Sequence, residues 1–151
     1  MGNIIKFDEG VVEYTVNDKT TVTFNPTDLA FIDGIFSVFE YMDSKQEDID
    51  RRLAGSEKAE DGGVMNALAL RRELEAEVRE RVDDLFPEAD VCQSIWGKRS
   101  IFGLAGGLPG WANFLLAIME LIPAAYTAEE KKRNPRLQKY TAKYDKLRGK
   151  K

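Results

Sequence analysis

The stretch that decides the fold is Ser100–Pro123, SIFGLAGGLPGWANFLLAIMELIP, in which a glycine-rich loop runs directly into an apolar segment. From Trp111 onward, large apolar residues recur at three- and four-residue spacings, which predicts a helix. Pro123 is expected to stop or kink that helix. Because the helix is apolar on most sides, we expect it to lie centrally, between the other helices.

The composition is that of one ordinary globular domain with a highly charged surface. The chain has 151 residues, of which 43% are apolar and 32% charged. This length can bury a substantial core, and this balance is not that of a disordered chain. The single cysteine, Cys92, excludes a disulfide framework and is expected to be a small buried residue.

The sequence predicts a cytoplasmic protein. No long apolar run follows Met1–Lys6, so we expect no signal peptide. The longest apolar stretch, Phe114–Tyr126, is interrupted by Glu120 and Pro123 and is shorter than the roughly 20 residues of a membrane span. We therefore expect no membrane partner.

The N-terminal quarter predicts a β-hairpin followed by a helix. Residues 10–24 contain two runs rich in β-branched and aromatic residues, separated by the turn residues Asn17-Asp18-Lys19. Asn25 is expected to cap the first helix, with Pro26 at its first position. From Leu29 to Met42 a broad apolar stripe follows the helical repeat, and its width predicts two packing partners, of which one could be another subunit.

The middle of the chain predicts a second helix between two less regular segments. Residues 55–63 contain three glycines and read as a mobile linker. From about Val64 to Phe86, an apolar stripe lies among many charged residues, and Pro87 ends the helix. The segment Asp90–Gly110 is predicted to be irregular.

The C-terminal segment differs in charge from the rest of the chain. Residues 1–126 carry 12 basic and 23 acidic side chains, whereas residues 127–151 carry 10 basic and 3 acidic ones. We therefore predict a single domain over 1–126 and a basic tail, helical or flexible, over 127–151. Thr127-Ala128-Glu129-Glu130 matches a capping box and predicts the start of a separate helix. The predicted class is mostly α (α+β), a hairpin followed by three to four helices.

No constellation of residues indicates catalysis or a cofactor. The chain has no histidine, and one cysteine cannot form a zinc site. The glycines of Gly103–Gly110 lack both the Gly-Lys-Ser/Thr of a phosphate loop and the spacing of a dinucleotide motif. We therefore expect a binding protein with no enzymatic activity, no metal and no cofactor.

The basic tail allows two interpretations. Its cations could contact nucleic-acid phosphates, or they could dock on an acidic protein surface, such as that of a neighbouring copy. The acidic body favours a protein partner over nucleic acid. The predicted tail contacts are Lys131, Lys132, Arg133, Arg136, Lys139 and Lys143.

The order of these parts resembles a known family. The hairpin leads into FNPTDLAFIDGIFSVFEYMD (residues 24–43), followed by a charged helix ending in VDDLFPEADVCQSIWG (residues 82–97), an FG turn and a last apolar helix. This order is similar to that of the small tail-assembly chaperones and related tail-morphogenesis proteins of long-tailed phages and prophages of Gram-positive bacteria. The resemblance implies a non-catalytic protein that binds the tape-measure protein, or another tail protein, and keeps it soluble.

The resemblance transfers no functional residue, so the contact surface is predicted from residue type alone. Large aromatic side chains dominate binding energy where they reach a surface. The candidates for partner binding are Phe31, Phe39, Trp96, Phe102 and Trp111. The free edge of the hairpin and the wide stripe of the first helix also suggest self-association. The rival hypothesis is a nucleic-acid-associated or regulatory phage protein that uses the basic arm.

Overall fold

The computed structural model describes the backbone of residues 2–56 and 62–147, and their side chains apart from those of 53–56, 62–64 and 133–146. In chain order, the described elements are β1 (Val12–Val16), β2 (Thr20–Phe24), α1 (Leu29–Ser56), α2 (Gly62–Asp83), α3 (Val91–Trp96), β3 (Leu104–Ala105), β4 (Leu108–Pro109) and α4 (Gly110–Leu147). The predicted class, a small N-terminal hairpin followed by helices, is confirmed.

The hairpin forms at the predicted residues. β1 and β2 pair antiparallel, and the N–H of Lys19 donates to the carbonyl of Val16 at 2.9 Å. Asn17 and Asp18, between them, both have positive φ. Asn and Asp tolerate this left-handed backbone better than other non-glycine residues, and the resulting turn matches the twist of the two strands.

The hairpin packs on the body through β2. Val22 and Phe24 of this strand are buried, and the Phe24 ring stacks between those of Tyr14 and Phe31 at centroid distances of 4.5 and 4.6 Å. Within the described residues, β1 and β2 pair only with each other. Each strand therefore has one edge free of strand pairing.

The start of α1 lies one turn later than predicted. Asn25 does not cap the helix, because its Oδ1 accepts the N–H of Thr27 at 2.9 Å and closes a local turn. The cap is Asp28, whose Oδ1 accepts the N–H of Ala30 at 3.0 Å. The predicted cap was wrong because Asn, Thr and Asp can each bond to a nearby backbone N–H, and sequence alone does not choose among them.

α1 and α2 pack against each other along part of the predicted stripes, but Leu29 and Phe36 of the predicted α1 stripe are 68% and 47% exposed. Ile35 and Val38 of α1 and Val78 and Val82 of α2 are buried. α1 and the turn after α2 approach closely at Gly34, where an added Cβ would lie 2.7 Å from the Leu85 side chain. Glycine at this position therefore allows the chain after α2 to pack on α1.

The connection between α1 and α2 is shorter at both ends than the predicted linker, residues 55–63. α1 continues through Ser56, and α2 begins at Gly62. Residues 57–61 of the predicted linker lie outside the described residues. The second helix ends at Asp83, three residues before the predicted Phe86, and a turn leads to Pro87.

The segment after Pro87 is more regular than predicted. It contains the short helix α3, whose start is held by Asp83, since the Oδ1 of Asp83 accepts the N–H of Cys92 at 2.8 Å. It also contains the two-residue strands β3 and β4, joined by Gly106 and Gly107 at φ 61° and 86°. Periodicity could not predict these elements because each is shorter than the stretch over which a helical or strand pattern can be recognised.

α4 overturns two predictions about the C-terminal half. It runs from Gly110 to Leu147 without a break at Pro123, so the predicted third and fourth helices are one. Thr127 does not begin a helix, because its hydroxyl donates to the carbonyl of Pro123 at 3.1 Å, within the same helix. Pro123 is exposed, and water can satisfy a carbonyl that has lost its N–H donor on that side.

α4 is central only over its first turns, and not along the whole apolar stretch as predicted. Trp111, Ala112, Leu115 and Ile118 are buried in the common core. Farther along, the hydroxyl of Tyr126 donates to the carbonyl of Thr27 at 3.3 Å, and both residues lie at the surface of the body. The helix therefore leaves the core while its sequence is still apolar.

Candidate partner-binding groove

The described residues contain no arrangement suited to catalysis. No group of three or more His, Cys, Asp or Glu residues among them could hold a metal ion. Cys92 is buried, as predicted, and burial together with the negative charge of Asp83 raises the pKa of its thiol far above the usual range. The thiol is therefore protonated at neutral pH and lacks the thiolate that a nucleophile requires.

Glu88 joins the hairpin to the turn before α3. Partial desolvation opposes its ionisation, but the hydroxyl and the N–H of Thr23 donate to its carboxylate at 2.7 and 2.9 Å. These bonds lower the pKa of Glu88 below its ordinary value. Both bonding partners are parts of the fold, so the role of Glu88 is to hold the hairpin in place.

A groove of about 580 Å³ lies between the hairpin and the first half of α4. Its hairpin wall consists of Tyr14, Thr15, Val16, Asn17, Val22 and Phe24. Its helical wall consists of Asn113, Phe114, Ala117, Ile118 and Leu121. Ile95, Trp96, Ala105 and Gly110 complete the lining.

The lining of this groove is apolar with a few neutral polar groups. Among the described residues that form it, none is an Asp, Glu, Lys, Arg or Cys. Asn113 uses its side-chain amide within the fold, donating to the carbonyls of Ala105 and Leu108 at 2.9 and 3.3 Å. A surface of this kind suits an apolar side chain of a partner and offers no group for acid–base chemistry.

The shape of the groove depends on Trp96 and the first residues of α4. The Trp96 and Phe114 rings meet edge to face, with centroids 5.9 Å apart. A Cβ at Gly110 would lie 2.8 Å from the indole Nε1 of Trp96, so glycine allows the ring to cover the start of α4. At the hairpin turn, Lys19 Nζ donates to the carbonyl of Ile95 at 3.1 Å and ties the turn to α3.

The five aromatic residues predicted to contact a partner have different positions. Trp96 lines the groove and is half-buried. Phe39 and Phe102 are half-buried and pack against the core. Phe31 stacks on Phe24, and Trp111 is only 4% exposed and packs on Phe39. Phe31 and Trp111 are therefore buried members of the core in this structure.

The predicted basic contacts lie on the C-terminal half of α4. Lys131 and Lys132 are exposed. Lys132 Nζ lies 3.7 Å from a carboxylate oxygen of Glu129, one turn earlier. The side chains of Arg133, Arg136, Lys139 and Lys143 lie outside the described side chains.

An acidic depression of about 550 Å³ lies elsewhere, where α2 ends and α3 begins. Its acidic lining residues are Glu80, Asp83, Asp84, Glu88 and Asp90. Among the described ion pairs, none includes these five residues. The acidic character that the sequence predicts for the body is concentrated in part here.

Sequence reasoning missed an exposed apolar cluster near the N-terminus. Ile4, Ile5 and Phe7 precede β1 and are 81%, 86% and 75% exposed. Three large apolar residues within four positions, outside any predicted element, were the available signal. The cluster is a second apolar surface, separate from the lining of the groove.

The apolar part of α4 is longer than the predicted apolar stretch, Phe114–Tyr126. By length and composition alone, Gly110–Lys132 is a helical stretch that could cross a membrane, and 22% of its most apolar window is buried in the body. Within this stretch, Trp111 and Leu115 are packed in the core, and Glu120 carries a charge.

Comparison with known proteins adds no relative. Neither protein-family models, nor curated proteins, nor solved structures gave a significant match to this chain.

Proposed function

We propose that this protein is a non-catalytic tail-assembly chaperone of a long-tailed phage or prophage. In this role it binds apolar helical segments of the tape-measure protein and keeps them soluble before the tail tube forms. The observation that supports the proposal is the groove of about 580 Å³, whose described lining contains no charged side chain. An uncharged, open groove beside a helix accepts the apolar ridge of an amphipathic helix.

The exposed side of α4 extends the same surface. Leu121 lines the groove and is still 39% exposed, and Tyr126, also 39% exposed, lies farther along the helix. A client helix that inserts apolar side chains beside Phe114 and Ala117 can continue along these residues. Recognition by apolar area alone suits a chaperone, which must accept many similar segments of one long client.

The charge of the body supports the same role. Residues 1–126 have 11 more acidic than basic side chains, and several of the carboxylates line the acidic depression. Like charge on successive bound copies keeps a loaded client soluble. The apolar groove would then bind the client, while the acidic surface would prevent the complexes from aggregating.

The test is co-expression of this protein with the tape-measure protein of the same phage or prophage gene set. Expected results are a soluble tape-measure protein and a complex that survives affinity purification and size-exclusion chromatography. Ala117→Arg places a charge in the groove from an exposed helical position and should abolish both effects. Met65→Arg, at an exposed apolar residue of α2 outside the groove lining, is the matched control and should behave as the unmodified protein.

The rival function gives different results in the same material. If the protein acts on nucleic acid through its basic arm, the purified chain will bind DNA or RNA in a salt-sensitive manner, and removal of residues 127–151 will abolish that binding. A tape-measure protein that stays insoluble with the unmodified chain, or a complex that Ala117→Arg leaves intact, would refute the chaperone proposal.

A further inference from the structure

The N-terminal arm, residues 2–11, has a defined base and an uncovered apolar tip. Asn25 Nδ2 donates to the carbonyl of Glu9 at 3.0 Å, and the N–H of Gly10 donates to Asp8 Oδ1 at 2.8 Å. Gly10 has φ 72°, and a Cβ there would lie 2.6 Å from Asn25 Nδ2. The base is therefore positioned by the end of the hairpin, which lowers the conformational entropy that the arm loses on docking.

The tip of the arm does not pack on its own chain. Ile4, Ile5 and Phe7 are more exposed than large apolar residues normally are in a group of this size. Asn3–Phe7 is as long as β1 and contains β-branched and aromatic residues, which favour extended pairing. In a strand, Ile5 and Phe7 would point to one face, and Ile4 and Lys6 to the other.

The groove contains a place for such a strand. Three consecutive residues of β1, Tyr14 to Val16, line it together with Asn17 of the turn, although neighbouring side chains of a strand point to opposite faces. β1 therefore borders the groove, and within the described residues its outer edge has no strand partner. The N–H and C=O groups along it are available to a third strand of this sheet, with the helical wall of α4 beside it.

We propose that the arm of a second copy of this chain adds to the free edge of β1 and places Ile5 and Phe7 in the groove. The exchange is reciprocal, so each copy of a twofold dimer gives one arm and receives one. The arm's inward side chains then lie against the apolar walls formed by Phe114 and Leu121. The outward Lys6 stays in solvent.

The buried area supports a second copy as the occupant. Covering the inward Ile5 and Phe7 removes roughly 280 Å² of surface from each arm, at about 100 Å² for the isoleucine and about 180 Å² for the phenylalanine. Each arm covers a similar area of the groove that receives it. Two reciprocal exchanges therefore bury roughly 1,100 Å² of side-chain surface, which exceeds the roughly 1,000 Å² that a specific protein–protein interface needs.

This inference does not depend on the proposed function, because it concerns two copies of the same chain without a client. If the proposed function and the arm-exchanged dimer are both correct, the arm and the client compete for one groove. The dimer would then protect the groove until a tape-measure segment displaces the arm.

The test is sedimentation velocity of the full-length chain, without any client, over a range of concentrations. The unmodified protein is expected to form a dimer. The double variant Ile5→Asp and Phe7→Asp should raise the dimer dissociation constant at least about tenfold, a change of about 1.4 kcal/mol. The matched control, Leu29→Asp and Met65→Asp, introduces the same charges at exposed apolar residues outside the arm and should leave the dimer unchanged.

Mixing two defective variants tests whether the arm occupies the groove. Ala117→Arg has an intact arm and a blocked groove, whereas the arm double variant has a blocked arm and an intact groove. Each alone should dimerise at least about tenfold more weakly than the unmodified protein, and an equimolar mixture should recover a heterodimer held by one exchange. Circular dichroism checks that both variants are folded.

A monomeric unmodified protein, an unchanged dimer of the arm variant, or a mixture that stays monomeric would each overturn the inference. None of these outcomes bears on client binding, which is measured separately with the tape-measure protein.

Discussion

The clearest stability prediction compares two leucines of α4. Leu115 is 0% exposed within the core, whereas Leu121, less than two turns later, is 39% exposed at the groove. Both lie in the same helix and both can be replaced by alanine, which has the higher helix propensity. Any difference between the two variants therefore reports on packing and not on helix formation.

The expected costs follow from burial. Leu→Ala removes three carbon atoms, which is about 2.4 kcal/mol of transfer free energy at a fully buried site. A closed cavity at Leu115 adds up to about 2 kcal/mol, so we expect a loss of about 2.5–4.5 kcal/mol in the free energy of unfolding. Leu121 is only about three-fifths buried, so its replacement loses about three-fifths of that transfer free energy and opens no closed cavity. The expected loss in the free energy of unfolding is about 1.5 kcal/mol.

Urea denaturation followed by far-UV circular dichroism measures both values, with the m-value checked for constancy. In thermal melts, the Leu115→Ala variant should melt roughly 6–15 °C below the unmodified protein. Equal losses for the two variants, or a loss below 1 kcal/mol for Leu115→Ala, would show that α4 does not pack in the core as described. The Leu121→Ala variant should weaken client binding more than its small loss of stability explains.

Three further predictions concern single interactions. Thr23→Val removes the hydroxyl bond to Glu88, whose pKa is lowered in the folded state. The stabilisation from this bond is present above the unfolded-state pKa and disappears as the pH falls through the folded-state pKa. Urea denaturation should therefore show a loss in the free energy of unfolding at neutral pH that shrinks in acid, and a pH-independent loss would contradict the prediction. Asp28→Ala should cost about 1 kcal/mol by loss of the cap of α1, while Asp33→Ala, at an exposed position within that helix, should cost much less in the same assay. Cys92 should react with a thiol reagent at neutral pH only after unfolding, and rapid stoichiometric labelling of the native protein would disprove its burial.

The two proposed surfaces explain features that the fold alone leaves unexplained. A monomer would gain nothing in stability from an exposed Ile4, Ile5 and Phe7, or from an apolar α4 that leaves the core before its apolar stretch ends. Each of these surfaces becomes reasonable if another chain covers it. The mixing experiment tests whether a second copy covers the arm, and the client experiment tests whether the tape-measure protein covers the groove and α4.

Local sequence signals predicted the elements that are long or have specific turn chemistry. The hairpin follows from its β-branched runs and from Asn17-Asp18, which tolerate positive φ. α1 and α2 follow from apolar stripes of several turns, and the burial of Ile35, Val78 and Val82 confirms those stripes. These signals succeed because they depend on contacts within a few residues of one another.

The predictions that failed concern competing local signals. Pro123 and the Thr127 capping box both indicated a helix boundary, yet α4 continues through them. Asn25 and Asp28 are both good caps, and Asp28 caps α1 while the side chain of Asn25 closes a local turn with Thr27. For the two caps the local free-energy difference is at most about 1 kcal/mol. At Pro123 the helix is exposed, so water can satisfy the carbonyl that has lost its N–H donor and the helix continues.

The sequence by itself determined the fold class, the burial of Cys92 and the contrast between an acidic body and a basic tail, because these depend on composition and on short-range periodicity. Only the tertiary structure decided which of the predicted aromatic contact residues are buried in the core and which one lines the groove. It places Phe31 and Trp111 in the core and leaves Trp96 at the groove, although all three have the same type of side chain. The physical reason is that exposure depends on residues far apart in the chain, since the groove exists only where β1, α3 and α4 meet.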